Sequence, residues 1–398
     1  MVTPDWRRLA KLLRERWGLG SMAMLIAGLV GIDLWARAAA DPDFYFPDPF
    51  RILSLILVGW FVVTGLVPWR WLRIQLRLFL GLLPVAGILV WECAAAERDR
   101  DIIQQRIQLS QDRLLRYHYR PGAPTGSRDA RGRELPINAD GLWDVSRPHE
   151  KPEGTYRIAV LGDSVPNDGS IDFPDRFHQI LQARLQGVDG HPVEVLNVSC
   201  EGYNTLQEVR LLEKVGLAYA PDLVVVTYVL NDPFIQNGGY RRLGNSFVLH
   251  GVVTLGAALT GTSACSLFIP LHDRYAFDLV VSHSLERLVL LSKLHHFDRM
   301  LAVLPIVEDF DDPVCASLYE QVASVGRGLG FETLEVVEAF RGRDPDDLRK
   351  ASDPWDVTHP NAAGHRLIAQ ALAEAIRPVI RAHFERQDRP GGLSAPAP

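Results

Sequence analysis

The chain has 398 residues, 47% of them hydrophobic and 23% charged, a composition that is ordinary for globular proteins and excludes disorder along the whole chain. The formal net charge of −6 argues against a protein that binds nucleic acid through a basic surface. Four cysteines are too few to hold a chain of this length together as a disulfide scaffold.

Three long apolar stretches lie within the first hundred residues. They cover residues 17–36, 52–69 and 78–96, and their only charged residues are Asp33 in the first and Glu92 in the third. A helix needs roughly 20 mostly apolar residues to cross a bilayer. Seven of the nine tryptophans also lie here, several at the ends of the stretches, where amphipathic rings favour the membrane interface. We therefore predict a membrane anchor of three transmembrane helices over residues 1–97.

Basic residues flank these stretches unevenly. Arginines and a lysine are concentrated before the first stretch and arginines in the loop 70–77, whereas the loop 37–51 is mainly acidic. The positive-inside rule then places the N-terminus in the cytoplasm, and three crossings place the chain after residue 97 outside a bacterial inner membrane, in the periplasm. The first stretch could instead be a signal peptide cleaved near residues 38–40, and the downstream chain would still be outside.

The pattern changes twice along the outer part of the chain. Residues 98–150 are polar and then rich in glycine and proline, which predicts a stalk and linker. Short apolar runs then alternate with helical patterns over residues 151–386, which predicts an α/β domain with a five-stranded parallel sheet flanked by helices. The predicted strands are 157–161, 193–197, 222–228, 300–304 and 331–337, and the predicted helices are 173–185, 206–216 and 361–384, the last kinked at Pro378. Residues 387–398 are predicted to be a disordered tail.

Residues 233–299 form a long insertion between the third and fourth predicted strands. Within it, residues 251–271 carry no charge, a pattern that could indicate a fourth membrane span. A span here would put the strand ends before and after it on opposite sides of the membrane, so we interpret this part as a lid or a membrane-facing flap. Cys265 and Cys315 could form a disulfide in an oxidising compartment.

Polar residues follow several of the predicted strands. Gly162-Asp163-Ser164 follows the first, residues 200–204 the second and Asn231-Asp232 the third, and Asp356-Val-Thr-His359 precedes the final helix. The carboxyl ends of parallel strands meet at one edge of a sheet, where such folds carry their chemistry.

These residue types are those that acyl transfer requires. A serine hydroxyl becomes a good nucleophile when a histidine takes its proton, and a carboxylate holds that histidine in the correct tautomer. Asp356 and His359 are three residues apart and can touch directly. A glycine N–H and the Asn231 amide, at neighbouring strand ends, could stabilise an oxyanion.

The motifs resemble those of the SGNH or GDSL-type hydrolases, a superfamily of esterases and lipases named for a serine, a glycine, an asparagine and a histidine. The matching residues are Ser164, Gly202, Asn231 and His359 with Asp356. The resemblance implies Ser164 as the nucleophile, His359 as the base and Asp356 as its partner. It also implies an oxyanion hole made by the backbone N–H groups of Ser164 and Gly202 and the side chain of Asn231.

The resemblance covers roughly residues 156–380 and implies a flavodoxin-like three-layer fold. Two positions depart from the usual pattern. Val229 stands where the family often has glycine, and Val165 follows the nucleophile where leucine or phenylalanine is commoner. Neither change removes a group that the chemistry needs.

Other interpretations of single residues remain open. Asp353, Asp356, His359 and His365 could form a metal site, although their spacing fits no standard one. Asn197-Val-Ser199 matches a glycosylation sequon, which we attribute to chance because it lies at a strand end. Asn204 either shapes the loop around Gly202 or serves ordinary turn chemistry.

Together these features predict a membrane-anchored serine ester hydrolase whose catalytic domain is periplasmic. It would act on an acyl ester, such as an acetyl ester, of a small molecule, lipid or glycan, without a cofactor or metal. One alternative is an O-acyltransferase that modifies envelope or exported polysaccharide with the same residues. A second alternative is a non-catalytic binding module of the envelope. Apart from the bilayer and the substrate, the sequence identifies no partner, and it predicts no binding to nucleic acid.

Overall fold

The computed structural model describes residues 105–233, 263–272, 274–350 and 356–387. All of these residues belong to one compact unit. The three predicted membrane spans, much of the predicted insertion and the predicted tail lie outside the described residues. Within the described ranges, no helix combines the length and the apolar character that crossing a membrane requires.

In the described ranges, seven strands form two sheets. The strands are β1 Ile107–Leu109, β2 Tyr117–Tyr119, β3 Tyr156–Gly162, β4 Val193–Ser199, β5 Leu223–Tyr228, β6 Asp298–Val303 and β7 Glu332–Glu335. β1 and β2 form an antiparallel pair, and the other five form a parallel sheet in the order β4-β3-β5-β6-β7. The prediction of a five-stranded parallel sheet in an α/β domain is confirmed.

Helices flank the parallel sheet. They are α1 Phe177–Leu185, α2 Thr205–Lys214, α3 Arg274–Phe277, α4 His283–His295, α5 Pro313–Gly328 and α6 Ala362–Gln387, and a π-helical turn, Asp278–Ser282, joins α3 to α4. Short 3₁₀ helices cover Phe173–Asp175, Gly216–Tyr219, Ala264–Leu267, Ile269–His272, Val336–Ala339 and Pro345–Asp347. α1 packs against α6, α2 packs against α4, and α5 packs against β6 and β7.

The order of the strands determines where a site can form. The chain goes from β3 outward to β4 on one side and then returns to β5 on the other side. Every residue of β3 and of β5 is buried, as expected for strands covered on both faces. The strand order reverses between β3 and β5, and flavodoxin-like sheets bind ligands beyond the carboxyl ends of the strands at such a reversal.

The boundaries of two predicted helices differ from the structure. Residues 173–185 form a short 3₁₀ helix and then α1, because Arg176 between them is extended, with φ −70° and ψ 141°. The final helix extends to Gln387 and continues through Pro378, although proline supplies no N–H to the helical hydrogen bonds.

Residues 107–150 belong to the folded domain, so this part of the predicted stalk and linker was misplaced outside it. The side chains of Tyr119 and Trp143 are fully buried, Ile137 and Leu142 are almost so, and all four belong to the main hydrophobic core. The polar, glycine-rich composition of this segment hides a few large apolar side chains that have no regular spacing. The sequence therefore contains no periodic pattern from which the burial of these side chains could be predicted.

Arg157 on β3 ties the end of this segment to the sheet. Its side chain is fully buried, and its guanidinium donates to the Glu194 carboxylate at 2.6 Å. The same guanidinium also donates to four backbone carbonyls, including those of Pro148 and His149. A buried charge is tolerated when it is paired and its donors are satisfied, as they are here.

The first described segment of the insertion, residues 263–272, contacts the rest of the domain through a disulfide and through His272. Cys265 forms a disulfide with Cys315 on α5, the pairing that the sequence left open. Nε2 of the His272 ring lies 2.9 Å from the hydroxyl of Tyr228, the last residue of β5. Residues 263–272 therefore lie close to the carboxyl end of the sheet, whereas most of the predicted flap, residues 251–262, is outside the described residues.

Candidate active site

Ser164 lies in the tight turn that follows β3. Gly162 ends the strand, and a Cβ atom built there would lie 2.5 Å from Oγ1 of Thr227 and 2.7 Å from Cγ of Pro166. The strand end can therefore hold only glycine without a shift of its neighbours. Asp163 is buried and accepts a hydrogen bond from the backbone N–H of Val165 at 3.2 Å. The half-buried Ser164 is thus presented on a closely packed turn.

A buried polar network holds this turn against β4. The Asn167 amide donates to the carbonyl of Asp163 at 3.2 Å and to Oγ of Ser199 at 2.7 Å. Its oxygen accepts from the Asn197 amide at 2.8 Å, and the Ser199 hydroxyl donates to the Asn197 oxygen. Asn197 and Ser199 are fully buried, so the sequon serves packing, as expected for a chance match. Nothing in the sequence pattern singled out Asn167.

His359 lies between Ser164 and Asp356. Its Nδ1 is 2.9 and 2.8 Å from the two carboxylate oxygens of Asp356, and its Nε2 is 2.7 Å from Oγ of Ser164. A carboxylate can only accept, so Nδ1 carries the hydrogen. In the neutral ring Nε2 is then the acceptor, and the Ser164 hydroxyl donates to it. This is the arrangement in which a histidine can take the proton of a serine.

Several backbone contacts fix the loop that carries Asp356 and His359. Oδ1 of Asp356 accepts from the N–H groups of Thr358 and His359, each at 3.1 Å. The carbonyl of Val357 accepts from the N–H of Val307, beyond β6, at 2.6 Å. The Asn361 side chain caps the start of α6 by accepting from two backbone N–H groups, which confirms the predicted helix start.

The charges in the site favour an ionised carboxylate beside the histidine. Burial alone would raise the pKa of Asp356, but its hydrogen bond and proximity to His359 and the charge of Lys350 hold that pKa below its usual range. Burial alone would lower the pKa of His359, and Asp356 outweighs it, so the pKa of the ring is raised. His359 is therefore a stronger base than a free imidazole, and Asp356 stays charged across the neutral range.

The two other predicted oxyanion groups lie at the ends of neighbouring strands. Gly202 has a φ of 72° at the third position of a turn in which the N–H of Tyr203 donates to the carbonyl of Cys200 at 3.1 Å. Glycine adopts this left-handed conformation without strain. Nδ2 of Asn231 donates to Oδ2 of Asp163 at 3.1 Å, so the amide is held on the side of the sheet where Ser164 lies.

The pair β1 and β2 supports the loop that carries Gly202. The Tyr117 hydroxyl donates to the carbonyl of Glu201 at 2.9 Å, and the N–H of Glu201 donates to the Tyr119 hydroxyl at 3.1 Å. The Tyr203 hydroxyl donates in turn to the carbonyl of Tyr117. Sequence reasoning missed this contribution. The sequence analysis assigned residues 98–150 to a stalk and linker, so it predicted neither β2 nor its contacts with this loop.

Buried acids lie behind the nucleophile turn. Asp232 and Glu208 are fully buried, and the Thr205 hydroxyl donates to Asp232 at 3.1 Å. Burial raises the pKa of both carboxyl groups well above the usual range, and neighbouring acids add to this effect. Asn204 forms a capping box with Gln207 at the start of α2, which is the ordinary local role that the sequence left open for it.

The four residues considered as a metal cluster do not form one among the described residues, in which no group of three or more possible ligands is arranged around a common point. Asp353 lies outside the described residues. His365 is fully buried on α6, and its Nδ1 accepts from the N–H of Phe177 at 3.1 Å.

Comparison with known proteins identifies the family. The model of the GDSL-like lipase/acylhydrolase family matches residues 160–367, which is more than half of the chain and includes both Ser164 and His359. The chain belongs to this family. As a GDSL-like acylhydrolase, the protein is a carboxylic ester hydrolase.

Solved structures that are similar to this GDSL-like acylhydrolase include TesA, Axe2 and EstA. TesA shares 15% identity, with a TM-score of 0.38 and coverage of 56% of this chain and 99% of that chain. Axe2, an acetylxylan esterase from Geobacillus stearothermophilus, shares 18%, with a TM-score of 0.39 and coverage of 56% and 94%. The psychrotrophic esterase EstA from Pseudoalteromonas sp. shares 14%, with a TM-score of 0.36 and coverage of 56% and 98%. No curated protein matches the sequence.

Proposed function

We propose that this acylhydrolase is a serine ester hydrolase that works outside the cytoplasmic membrane, with Ser164 as nucleophile, His359 as general base and Asp356 as the group that orients the base. The observation that carries the proposal is the alignment of the three side chains. His359 Nε2 is 2.7 Å from the Ser164 hydroxyl while Nδ1 is 2.8 Å from the Asp356 carboxylate. Both distances are short enough for direct hydrogen bonds without any rearrangement.

In the first half of the reaction, Oγ of Ser164 attacks the ester carbonyl carbon while its proton passes to Nε2 of His359. The carbonyl oxygen becomes an oxyanion, which the N–H groups of Ser164 and Gly202 and the amide of Asn231 would stabilise. The tetrahedral intermediate then collapses. The alcohol leaves with the proton from His359, and the acyl group stays on Ser164.

In the second half, water attacks the acyl-enzyme and His359 again takes and returns the proton. The His359 side chain is 24% exposed, so solvent reaches the base. If a sugar hydroxyl replaced water at this step, the same residues would make the protein an O-acyltransferase.

The location outside the membrane is supported by the sequence and by one contact in the domain. Three apolar stretches with a positive-inside bias precede the domain. Disulfides persist mainly in oxidising compartments, and Cys265–Cys315 is a disulfide. The substrate would then be an acyl ester of the cell envelope or the surrounding medium, carried by a small molecule, lipid or glycan.

Substitution of the nucleophile tests the proposal. In full-length protein in mild detergent, Ser164→Ala should lower kcat/KM for p-nitrophenyl acetate by about 10³-fold or more, because the attacking oxygen is lost. Ser146→Ala, at an exposed serine, is the matched control and should keep wild-type activity. The wild-type acid limb of kcat/KM should lie above pH 6.5, because His359 must be neutral to act and its pKa is raised above 6.5.

Three outcomes separate the alternatives. Turnover that survives Ser164→Ala would remove Ser164 from its role. A wild-type protein that does not turn over p-nitrophenyl acetate would contradict the proposed hydrolysis of short acyl esters. Candidate glycan acceptors can then be added and the products followed by mass spectrometry. Transfer of the acyl group to the sugar at a higher rate than its release as free acid would identify an acyltransferase.

A further inference from the structure

Lys350 lies beside the carboxylate of Asp356. It does not belong to any of the motifs that were identified in the sequence. Its Nζ is 2.6 Å from Oδ2 of Asp168 and 3.4 Å from Oδ2 of Asp356. That same oxygen of Asp356 is 2.8 Å from Nδ1 of His359. The carboxylate oxygen is therefore shared between an imidazole and an ammonium group.

This ion pair lies in the interior of the site. The Lys350 side chain is 12% exposed and that of Asp168 is 4% exposed. Oδ1 of Asp168 is held by the N–H and the hydroxyl of Ser170, at 2.9 and 2.6 Å. A paired charge at this depth is screened little by solvent, in contrast to an ion pair on the surface.

The pair joins two loops from distant parts of the chain. Asp168 lies four residues after Ser164 in the segment that follows β3, and Lys350 lies six residues before Asp356. Arg349, next to Lys350, pairs with Pro360, next to His359, in an antiparallel bridge. A contact between Asp168 and Lys350 therefore limits the separation of the nucleophile from its base.

We propose that Lys350 and Asp168 are positioning residues of the hydrolase reaction, which hold the Asp356 carboxylate against His359 and set the balance of charge beside the ring. The proposal rests on the function proposed above for Ser164, His359 and Asp356. Lys350 disfavours a positively charged imidazole, whereas Asp168 favours it. The charges of Lys350 and Asp168 therefore have opposite effects on the protonation of His359.

Among the residues that the structure describes, the other charged or titratable groups near His359 are Asp356, Asp163 and His365. Asp356 bonds the ring directly. Asp163, from the nucleophile turn, reaches the ring only through Ser164, whose hydroxyl lies 3.3 Å from Oδ2 of Asp163. His365 on α6 is buried, which lowers its pKa to about 3, so it carries no charge in the neutral range.

The pH dependence of activity separates this role from a purely structural one. With the full-length protein and p-nitrophenyl acetate, Lys350→Met should move the acid limb of kcat/KM to higher pH by about 0.5–1 unit, because the imidazolium loses a repelling charge. Asp168→Asn should move the limb to lower pH, because an attracting charge is lost. The double variant should return towards the wild-type limb, and Lys350→Arg, which keeps the charge, should stay close to it.

Acid limbs that coincide in wild type and all variants would overturn the inference, even if kcat falls. If Lys350→Met does not fold, Asp168→Asn alone tests the inference. An acid limb of kcat/KM that stays at the wild-type pH in Asp168→Asn would also overturn it. The Ser164→Ala result keeps the two proposals apart. When Ser164→Ala is inactive and the limbs do not move, only the role of Lys350 and Asp168 fails. When Ser164→Ala is active, the proposed hydrolase mechanism fails first.

Discussion

Gly162 controls the turn that presents Ser164. The space where its side chain would lie is filled from β5 by Thr227 and from the turn itself by Pro166. The Thr227 hydroxyl also donates to the carbonyl of Leu161 at 2.6 Å, so it cannot move away without losing a hydrogen bond. Ser164 is therefore placed by packing against the neighbouring strand.

A methyl group at this position should displace the nucleophile. We expect Gly162→Ala to cost about 1–3 kcal/mol of stability through overpacking and to lower kcat/KM more than tenfold, because the Ser164 turn must shift. The matched control is Gly328→Ala at the end of α5, where a Cβ meets no atom within 4 Å. The melting temperature and p-nitrophenyl acetate turnover measure both effects. Wild-type activity in Gly162→Ala would show that the turn tolerates the shift.

Among the elements, the antiparallel pair β1 and β2 lies outside the main sheet but supports the loop that carries Gly202. Tyrosines on β2 hold both the N–H and the carbonyl of Glu201, the residue before Gly202. The proposed oxyanion donor is thus steadied by a segment that precedes the catalytic sheet in the chain. A deletion that removes residues 107–119 would take this support away.

The hydroxyl of Tyr117 tests this support. We expect Tyr117→Phe to lower kcat by about two- to tenfold while KM changes little, because one hydrogen bond to the oxyanion loop is worth about 0.5–1.5 kcal/mol. Tyr275→Phe, at a side chain that is 77% exposed, serves as the control. A lowered melting temperature with unchanged kcat would mean that β2 contributes only to stability.

For the whole molecule, the disulfide ties two distant parts of the domain together. Cys265 belongs to the insertion, Cys315 belongs to α5, and 50 positions in the sequence separate them. Cross-linking a loop of this size restricts the unfolded chain and typically stabilises the folded one by about 2–4 kcal/mol. The same bond also reports on the compartment in which the domain folds.

The redox state of the cysteines can be measured directly. Thiol labelling of denatured full-length protein, trapped by alkylation as the cells are lysed, should find two more free thiols after reduction than before it. Cys265→Ser with Cys315→Ser should lower the melting temperature. Cys200→Ser, at a buried cysteine outside the disulfide, should leave that difference in thiol count unchanged. Equal thiol counts with and without reduction would argue against a disulfide in the cell and against the proposed location.

Local patterns in the sequence were sufficient for the sheet and for the residues that end its strands. Apolar runs such as residues 157–161 and 222–228 have the composition of buried parallel strands, so the α/β class followed from them. Asp356 and His359 are close in the chain, and their contact follows from their spacing. The family pattern added Ser164, Gly202 and Asn231 because each motif is short and contiguous.

Contacts between distant segments were decided only by the tertiary structure. Lys350 and Asp168 are 182 residues apart, and neither belongs to a motif, so their ion pair has no signature in the sequence. The packing of residues 107–150 on the core and the network around Asn167 are equally non-local. Short-range spacing and hydrophobic period specify helices, strands and strand ends, whereas the side chains that surround a catalytic group are set by which loops the fold brings together.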